Sequence, residues 1–535
     1  MGSAAVLVTA AYLLDRIGMA FTPTVMLPVG LIAFAVTLAW LGAGASWERA
    51  DLATFAAIVA ATFGWLMWVA RPSFLPLGAG PDLTHHLLLI QYLEQHWRLV
   101  HGPGVEDYLG EMVYYTPGSH TLTALAGAWS RTTGLHALHA VMSAAAALKA
   151  GFVFLIAMRA LPRDSPRTPL AAIAALALFH SQIFFLGSFA EFSFIAQVIA
   201  ELFAVALWWT LVAWDEEPRW SLMLAAGVLG SAVFLTWPVL IGPPLVLLGL
   251  LLLLPRATPF SIRIAQAALA FVPIAIVAGL FIVGRTGMMI IAGTGGRAVW
   301  PHVSAYGAWF LGLSALGLIA GVFRVRARTT TLFAIAIALQ AAGLYWFARI
   351  HNNEPYMALK MLYLFLYVQA VAVAVGLGEV WVAVTRGIRL RPPVAWTAAA
   401  VVLIVTIRPL LGAPRSLEVA RHPATSIPLE QAGQWAREHV PIKCVEYLVG
   451  SGDTAYWLHL AVLGNARQGA RTADSATYEL TPALVRWLTP GGLPYAIVDF
   501  VSIPSGIRDE LDLVARFDGA GVAKRRGPST CDDGP

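Results

Sequence analysis

The sequence predicts a polytopic α-helical membrane protein of about thirteen transmembrane helices, with a small α/β domain after the last of them. Three observations predict it. Of 535 residues, 58% are hydrophobic and 12% charged, roughly half the charged share of a water-soluble chain. The mean hydropathy is +0.71. The apolar residues also arrive in blocks of about spanning length, separated by short linkers that carry the charge. A net charge of +5 and a pI near 9.2 would suit nucleic acid only if the basic residues gathered on one face. Scattered through short loops they report topology instead, and no nucleic-acid partner is expected.

The blocks fall near residues 2–20, 24–44, 53–70, 137–160, 169–187, 193–214, 220–237, 239–254, 263–284, 303–323, 329–347, 357–380 and 394–412. The first is cleanly apolar only over Ser3–Leu14 before Asp15 and Arg16 interrupt it, and no basic segment precedes it as in a signal peptide. It reads as a short or re-entrant helix. Orientation follows from arginine. One set of linkers and flanks holds Arg49, Arg159, Arg163, Arg167, Arg219, Arg256, Arg263, Arg324, Arg326, Arg328, Arg386, Arg389 and Arg391. The other set, longer in total, holds Arg16, Arg71, Arg98, Arg131, Arg285, Arg297 and Arg349. Short basic loops stay in the cytoplasm. The N-terminus is therefore read as inside, and loops 71–136, 285–302 and 348–356 as outside with everything after Gly412.

The transmembrane unit is read as 1–415 and the exported α/β domain as 416–535. Within the latter, Leu429–Glu438 has helical apolar spacing after Pro428, Cys444–Val449 and Tyr495–Val501 read as short buried strands, and Val514–Lys524 as a hairpin around Gly519. Both cysteines, Cys444 and Cys531, lie in this tail, on the side of the membrane where disulfides persist. Two readings stay open: a disulfide closing a long loop, worth roughly 4–5 kcal/mol on the chain-entropy argument, or two free thiols.

Polar residues that a membrane tolerates poorly concentrate in loop 71–136, which opens Gly80-Pro81-Asp82-Leu83-Thr84-His85-His86. If Asp82 starts a helix after Pro81, then Asp82, His85 and His86 share a face at i, i+3 and i+4. Such a trio could hold a divalent cation, Mg or Mn, with Asp82 and His86 as ligands, or it could keep Asp82 ready as a general base. Equally, Asp82 could be only an N-cap, with both histidines at the interface. The loop continues through Glu106, Asp107 and Glu111 to Tyr114-Tyr115-Thr116-Pro117-Gly118-Ser119-His120. Tyr115 and His120 suit stacking and hydrogen bonding to a glycan or lipid phosphate, although paired tyrosines at a helix entry also make an ordinary interfacial belt.

An Asp followed by a helix in a large exported loop, then a Tyr-x-Pro-Gly-x-His segment, resembles the GT-C superfamily of membrane glycosyltransferases. Two further features are similar to that family: the late Tyr356-x-x-x-Lys360-x-x-Tyr363 pattern, and a tail with a Trp435 helix, an Asp453–Leu458 segment, an Asn465-Ala466-Arg467 turn and a Tyr495–Asp499 strand. The likeness covers most of the chain. It implies a bacterial plasma-membrane enzyme that takes a sugar from a polyprenyl-phosphate donor to a glycan, lipid or protein acceptor. Many family members carry two adjacent acids where this chain has Asp82-Leu83-Thr84.

The implied chemistry needs a base, for which Asp82 stands, and cations for the departing phosphate, which Lys360, Arg297 and Arg349 could supply on the exported face. Lys360 lies about one turn inside a span, where a charge is costly unless it snorkels, pairs or works. Glu354 or Glu191 could pair with it. Arg297 lies in Gly293-Thr294-Gly295-Gly296-Arg297, which could cradle a phosphate or form a lid. Glu201 with Gln197, His136, His139, Trp237-Pro238 and Lys149 read more plainly as bundle contacts and helix ends, with Lys149 the unusual one. A carrier or flippase is the alternative reading, but it favours matched broken halves, and no half-to-half symmetry is visible.

Overall fold

A computed structural model describes residues 1–42, 49–76, 81–101, 105, 109–181, 184, 186–283, 308–387, 425–465, 478–508 and 511–531. An apolar setting leaves backbone N–H and C=O groups no partners outside their own segment, so the apolar blocks fold as helices. In chain order these are α1 (Gly2–Arg16), α2 (Pro23–Gly42), α3 (Arg49–Val69), α4 (Pro81–His96), α5 (Gly118–Trp129), α6 (Gly134–Ala160) and α7 (Arg167–Ala177). There follow α8 (Ile195–Glu216), α9 (Trp220–Thr236), α10 (Gly242–Leu253), α11 (Phe260–Ile282), α12 (Ala308–Phe323), α13 (Arg328–Ile350) and α14 (Tyr356–Gly387).

Among the described residues, six helices (α3, α6, α8, α11, α13 and α14) are long and apolar enough to cross a membrane. Four more apolar helices (α7, α9, α10 and α12) run only 10–17 residues, α1 runs 15 and α2 runs 20. The expected thirteen spans therefore exceed what these residues show, and the block at 394–412 lies outside them. The reason is that hydropathy does not register where a helix breaks. The block expected at 169–187 ends as a helix at Ala177, continues through a 3-10 turn at Leu178–His180, and reaches a separate π-turn at Leu186–Glu191.

The helices pack side by side: α6 on α3 and α8, α8 on α9, α9 on α11, and α14 against α7, α12 and α13. Small residues set the tightest crossing. A Cβ at Gly317 of α12 would collide with the Ala372 carbonyl of α14, so glycine lets these backbones touch.

One end of the bundle is tied by ion pairs. The Asp215 carboxylate, its side chain 6% exposed, accepts from Arg256 and from Arg328 (3.3 Å). Arg159 pairs with Glu216, Arg219 with Glu217 (2.6 Å) and Arg324 with Glu379 (3.1 Å). All these arginines come from the richer of the two linker sets. The opposite end carries α4 and the C-terminal segment.

That segment begins with α15 (Ile427–His439), whose first turn holds Pro428 and is capped by Ser426 Oγ accepting the Leu429 N–H. Its sheet has the order β1-β2-β4-β3. Strands β1 (Val445–Leu448) and β2 (Tyr495–Asp499) run parallel, while β4 (Ala520–Lys524) is antiparallel to β2 and to β3 (Asp512–Phe517). Gly519, at φ +79, makes the β3–β4 turn. Two short helices, α16 (Gly452–Trp457) and α17 (Leu480–Leu488), complete it. Cys444 and Cys531 form a disulfide with Cα atoms 5.5 Å apart.

Helix α4 lies between the bundle and this segment. Arg437 of α15 donates to the Val462 carbonyl (3.3 Å) and, with the Gln91 amide turned to present its oxygen, to α4 as well. His136 of α6 meets Glu430 of α15 at 3.4 Å. Between them, Glu94 of α4 accepts the Gly134 N–H. Burial pushes the Glu94 carboxyl up to about 7, against the opposing pull of that N–H, Arg437 and His136.

Two outcomes are expected. The folded chain holds a proton on Glu94 that the unfolded chain, with a carboxyl near 4.5, has already lost, so this group's contribution to stability falls as pH rises from about 4.5 to about 7. Thermal unfolding of Glu94→Gln should show a shallower pH dependence over that window, and an unchanged slope would contradict it. Asp215→Ala, which strands two partly buried arginines, is expected to cost about 3 kcal/mol, against under about 1 kcal/mol for Glu217→Ala in its exposed pair, both read from melting in detergent.

Candidate functional site

The site is built where α4 meets the ends of α5, α9 and α14. Pro81, with its fixed φ, suits the first position of α4 and leaves Asp82 in the opening turn. Asp82 is exposed, whereas His85 and His86 are 7% and 6% exposed. The expected trio does not converge on one ligand. His85 Nε2 turns to the Tyr456 hydroxyl of α16 (3.2 Å), and His86 Nδ1 turns to His120 Nε2 of α5 (2.8 Å). Packing on two sides of α4 has separated side chains that spacing alone placed together.

His120 is held from behind. Thr116 Oγ1 donates to the Thr236 carbonyl at the end of α9 (2.7 Å), and a Cβ at Gly118 would collide with Thr236, so the Thr-Pro-Gly entry fits closely against α9. Burial pushes the His120 imidazole down to about 3, only partly offset by the Thr116 backbone. His120 is therefore neutral at physiological pH. Its bond to His86 joins a ring N–H to a ring nitrogen, and it offers a phosphate no positive charge. Tyr115 sets its ring edge against His86 (5.1 Å) and His120 (5.7 Å) and leads on to Trp237 (6.3 Å).

Lys360 is 1% exposed, and its Nζ has no hydrogen-bond partner among the described residues. Aromatic rings surround it instead: Phe194 against the Nζ, with Tyr356 (4.6 Å), Tyr363 (5.3 Å) and Trp237 (5.8 Å) around it. Phe194 reaches this position because Ser193 adopts φ +57, a left-handed conformation uncommon outside glycine. The Asp82 carboxylate is within electrostatic reach of both Tyr356 and Lys360.

Among the sequence-predicted residues, the structure thus gathers Asp82, Tyr115, His86, His120, Tyr356 and Lys360 around one end of the bundle, with His85 facing the tail. Glu354 is exposed and does not hydrogen-bond Lys360. Arg297 and the side chain of Glu191 lie outside the described residues. Phe194 and Trp237 were not singled out for this role, because an aromatic residue within an apolar block carries no signal of its own. Among the described residues no group of three or more His, Cys, Asp or Glu side chains could hold a metal ion. His86 Nδ1 is engaged with His120 Nε2.

No family model matches the sequence, and no curated protein does. Solved structures do. ArnT from Cupriavidus metallidurans in the apo state matches at a TM-score of 0.51 and 15% identity, over 89% of this chain and 98% of that one. The Archaeoglobus fulgidus oligosaccharyltransferase in the apo form matches at 0.51 and 14% identity, over 85% and 70%. A structure of the same ArnT bound to undecaprenyl phosphate matches at 0.49 and 14% identity, over 91% and 100%. At these identities the likeness is one of fold: the chain shares the fold of ArnT and of the archaeal oligosaccharyltransferase.

Proposed function

We propose that the chain transfers a sugar from a polyprenyl-phosphate carrier to an envelope acceptor, a glycan, lipid or protein, on the side of the membrane where α4 and the C-terminal segment lie. The observation that carries this reading is Lys360: a buried amine without a hydrogen-bonding partner among the described residues, walled by aromatic rings and within electrostatic reach of an exposed carboxylate. Buried polar groups are ordinarily paired, so one left waiting beside a carboxylate at a bundle end suits an anionic ligand. The fold shared with ArnT fits a polyprenyl phosphate as that anion.

In the proposed step the acceptor hydroxyl attacks the anomeric carbon of the donor. The bond from that carbon to the phosphate oxygen breaks, the hydroxyl proton passes to Asp82, and the polyprenyl phosphate leaves with the bonding pair, its charge met by Lys360. The His86–His120 pair and Tyr115 line the approach and orient hydroxyl groups. With short basic loops on the cytoplasmic side, the arginine-tied end faces inward, and the N-terminus is cytoplasmic. The site, the tail and its disulfide then face outward from a bacterial plasma membrane.

Sugar transfer from a polyprenyl-phosphate donor in proteoliposomes tests the reading. Asp82→Asn is expected to lower turnover by roughly 10²–10⁴-fold with the melting temperature unchanged; full turnover in that variant removes Asp82 from the role. Lys360→Met is expected to weaken binding of undecaprenyl phosphate roughly 10- to 100-fold, as loss of a charge-assisted contact does. Unaltered binding would sink the phosphate assignment.

A further inference from the structure

Two turns inward from Lys360, the bundle holds a second group of buried polar side chains that the proposed reaction does not use. Glu201 of α8 accepts from Lys149 Nζ of α6 (2.8 Å) and from the Tyr367 hydroxyl of α14 (2.6 Å) on one oxygen, and from Gln197 Nε2 (2.7 Å) on the other. Lys149 and Gln197 are 0% exposed, and Glu201 and Tyr367 are 1% exposed. The Lys149 amine also lies over the rings of Phe184 (5.5 Å) and Tyr367 (5.3 Å). One carboxylate thus ties together α6, α8 and α14, the last of which carries Lys360.

The register of the helices aligns this knot with the site. Tyr367 follows Lys360 by seven positions, so the two share a face of α14 about 10 Å apart along its axis. Glu201 likewise lies two turns into α8, which begins just after Phe194. Glu201 acts electrostatically on Lys360. A bare carboxylate there would oppose any anion brought to Lys360. Lys149 is the only cation hydrogen-bonded to it among the described residues.

We infer that Lys149 is a positioning residue for the anionic ligand: by neutralising Glu201 it allows three helices to be tied by a carboxylate without setting a negative charge beneath the phosphate subsite. The inference rests on the proposed role of Lys360. It assigns the two members of one ion pair opposite effects on the ligand, although both support the fold. An uncompensated unit charge about 10 Å from a phosphate, at an effective dielectric near 20, corresponds to a change of roughly 15-fold in affinity.

The test is binding of undecaprenyl phosphate to the full-length protein in detergent, with melting temperature recorded in parallel. Lys149→Met should weaken binding by roughly tenfold or more, Glu201→Gln should keep or tighten it, and the double variant should return to within about threefold of wild type. A purely structural bridge predicts the same direction for both single variants, in step with their loss of stability, and that result would overturn the inference. So would an unchanged affinity in Lys149→Met. If Lys149→Met does not fold, Glu201→Gln decides alone, because weakened binding there contradicts the assigned sign. Lys360→Met is measured alongside: if it leaves binding unaltered, the proposed function fails at its own step, whatever the other variants show.

Discussion

A charge in a low-dielectric bundle must be compensated where it lies, and this constraint organises the molecule. Taking an ion out of water costs several kcal/mol that only close partners return. At one end Asp215 holds two arginines from different linkers, which ties α8 to the α10–α11 linker and the start of α13. In the middle, Lys149 and Glu201 hold α6 against α8, and Tyr367 brings α14 to the same carboxylate. At the other end Lys360 has, among the described residues, only ring faces. The ion-paired positions fix which helices are neighbours, and under the proposed function the position unpaired among the described residues is where a ligand supplies the partner.

Helix α4 converts that arrangement into a site. Its residues are too polar to span, and it is held from both sides by directional contacts rather than by apolar burial alone. His86 bonds to the bundle through His120, His85 bonds to the tail through Tyr456, and Glu94 accepts from the first turn of α6. Asp82, in the first turn of α4, is left exposed while Leu83 and Thr84 beside it are buried. The apolar core runs without interruption from the bundle through Leu87 and Leu88 to Leu458 and Leu460 of the tail. The C-terminal segment therefore supports the outer face of α4, and movement of that segment would be felt at Asp82.

Much of this was legible in the sequence, and the parts that were not share a cause. Apolar blocks announce helices because lipid leaves the backbone no other choice. Where α7 stops was hidden, since a hydropathy average does not register the turn after Ala177, whereas α9 ends at Thr236, one residue short of the expected 237. Strand β2 was readable within the run Tyr495–Val501, two residues longer than the strand observed, and the hairpin was readable from Gly519. Lys360 stood out as a charge in an apolar segment, but Phe194 and Trp237 did not, because only the packing of distant helices brings them to it. Spacing placed Asp82, His85 and His86 on one face. Their real partners come from two other parts of the chain, which no local pattern records. Glu201 was read as a bundle hydrogen bond, and its link to Lys149 shows why a lysine could stand in the middle of a span.

The contrast between Asp215 and Lys360 explains why the proposed phosphate subsite uses one lysine rather than a cluster of arginines. Around Asp215 the guanidinium donors are directed at a carboxylate already present, so little capacity remains for a ligand. Around Lys360 the cation–π contacts are attractive but non-directional, and each is worth only about 0.5–2 kcal/mol. No carboxylate is hydrogen-bonded to the amine among the described residues, so an oxyanion entering the cage need not displace one. The rings also exclude water, which strengthens the attraction to whatever anion does enter. A neutral His120 and a cancelled Glu201 keep the field at that point set by Lys360 on one side and Asp82 on the other. In the proposed transfer a phosphate leaving group and a proton to collect need those two poles kept apart, and they sit on different helices, Lys360 on α14 and Asp82 on α4.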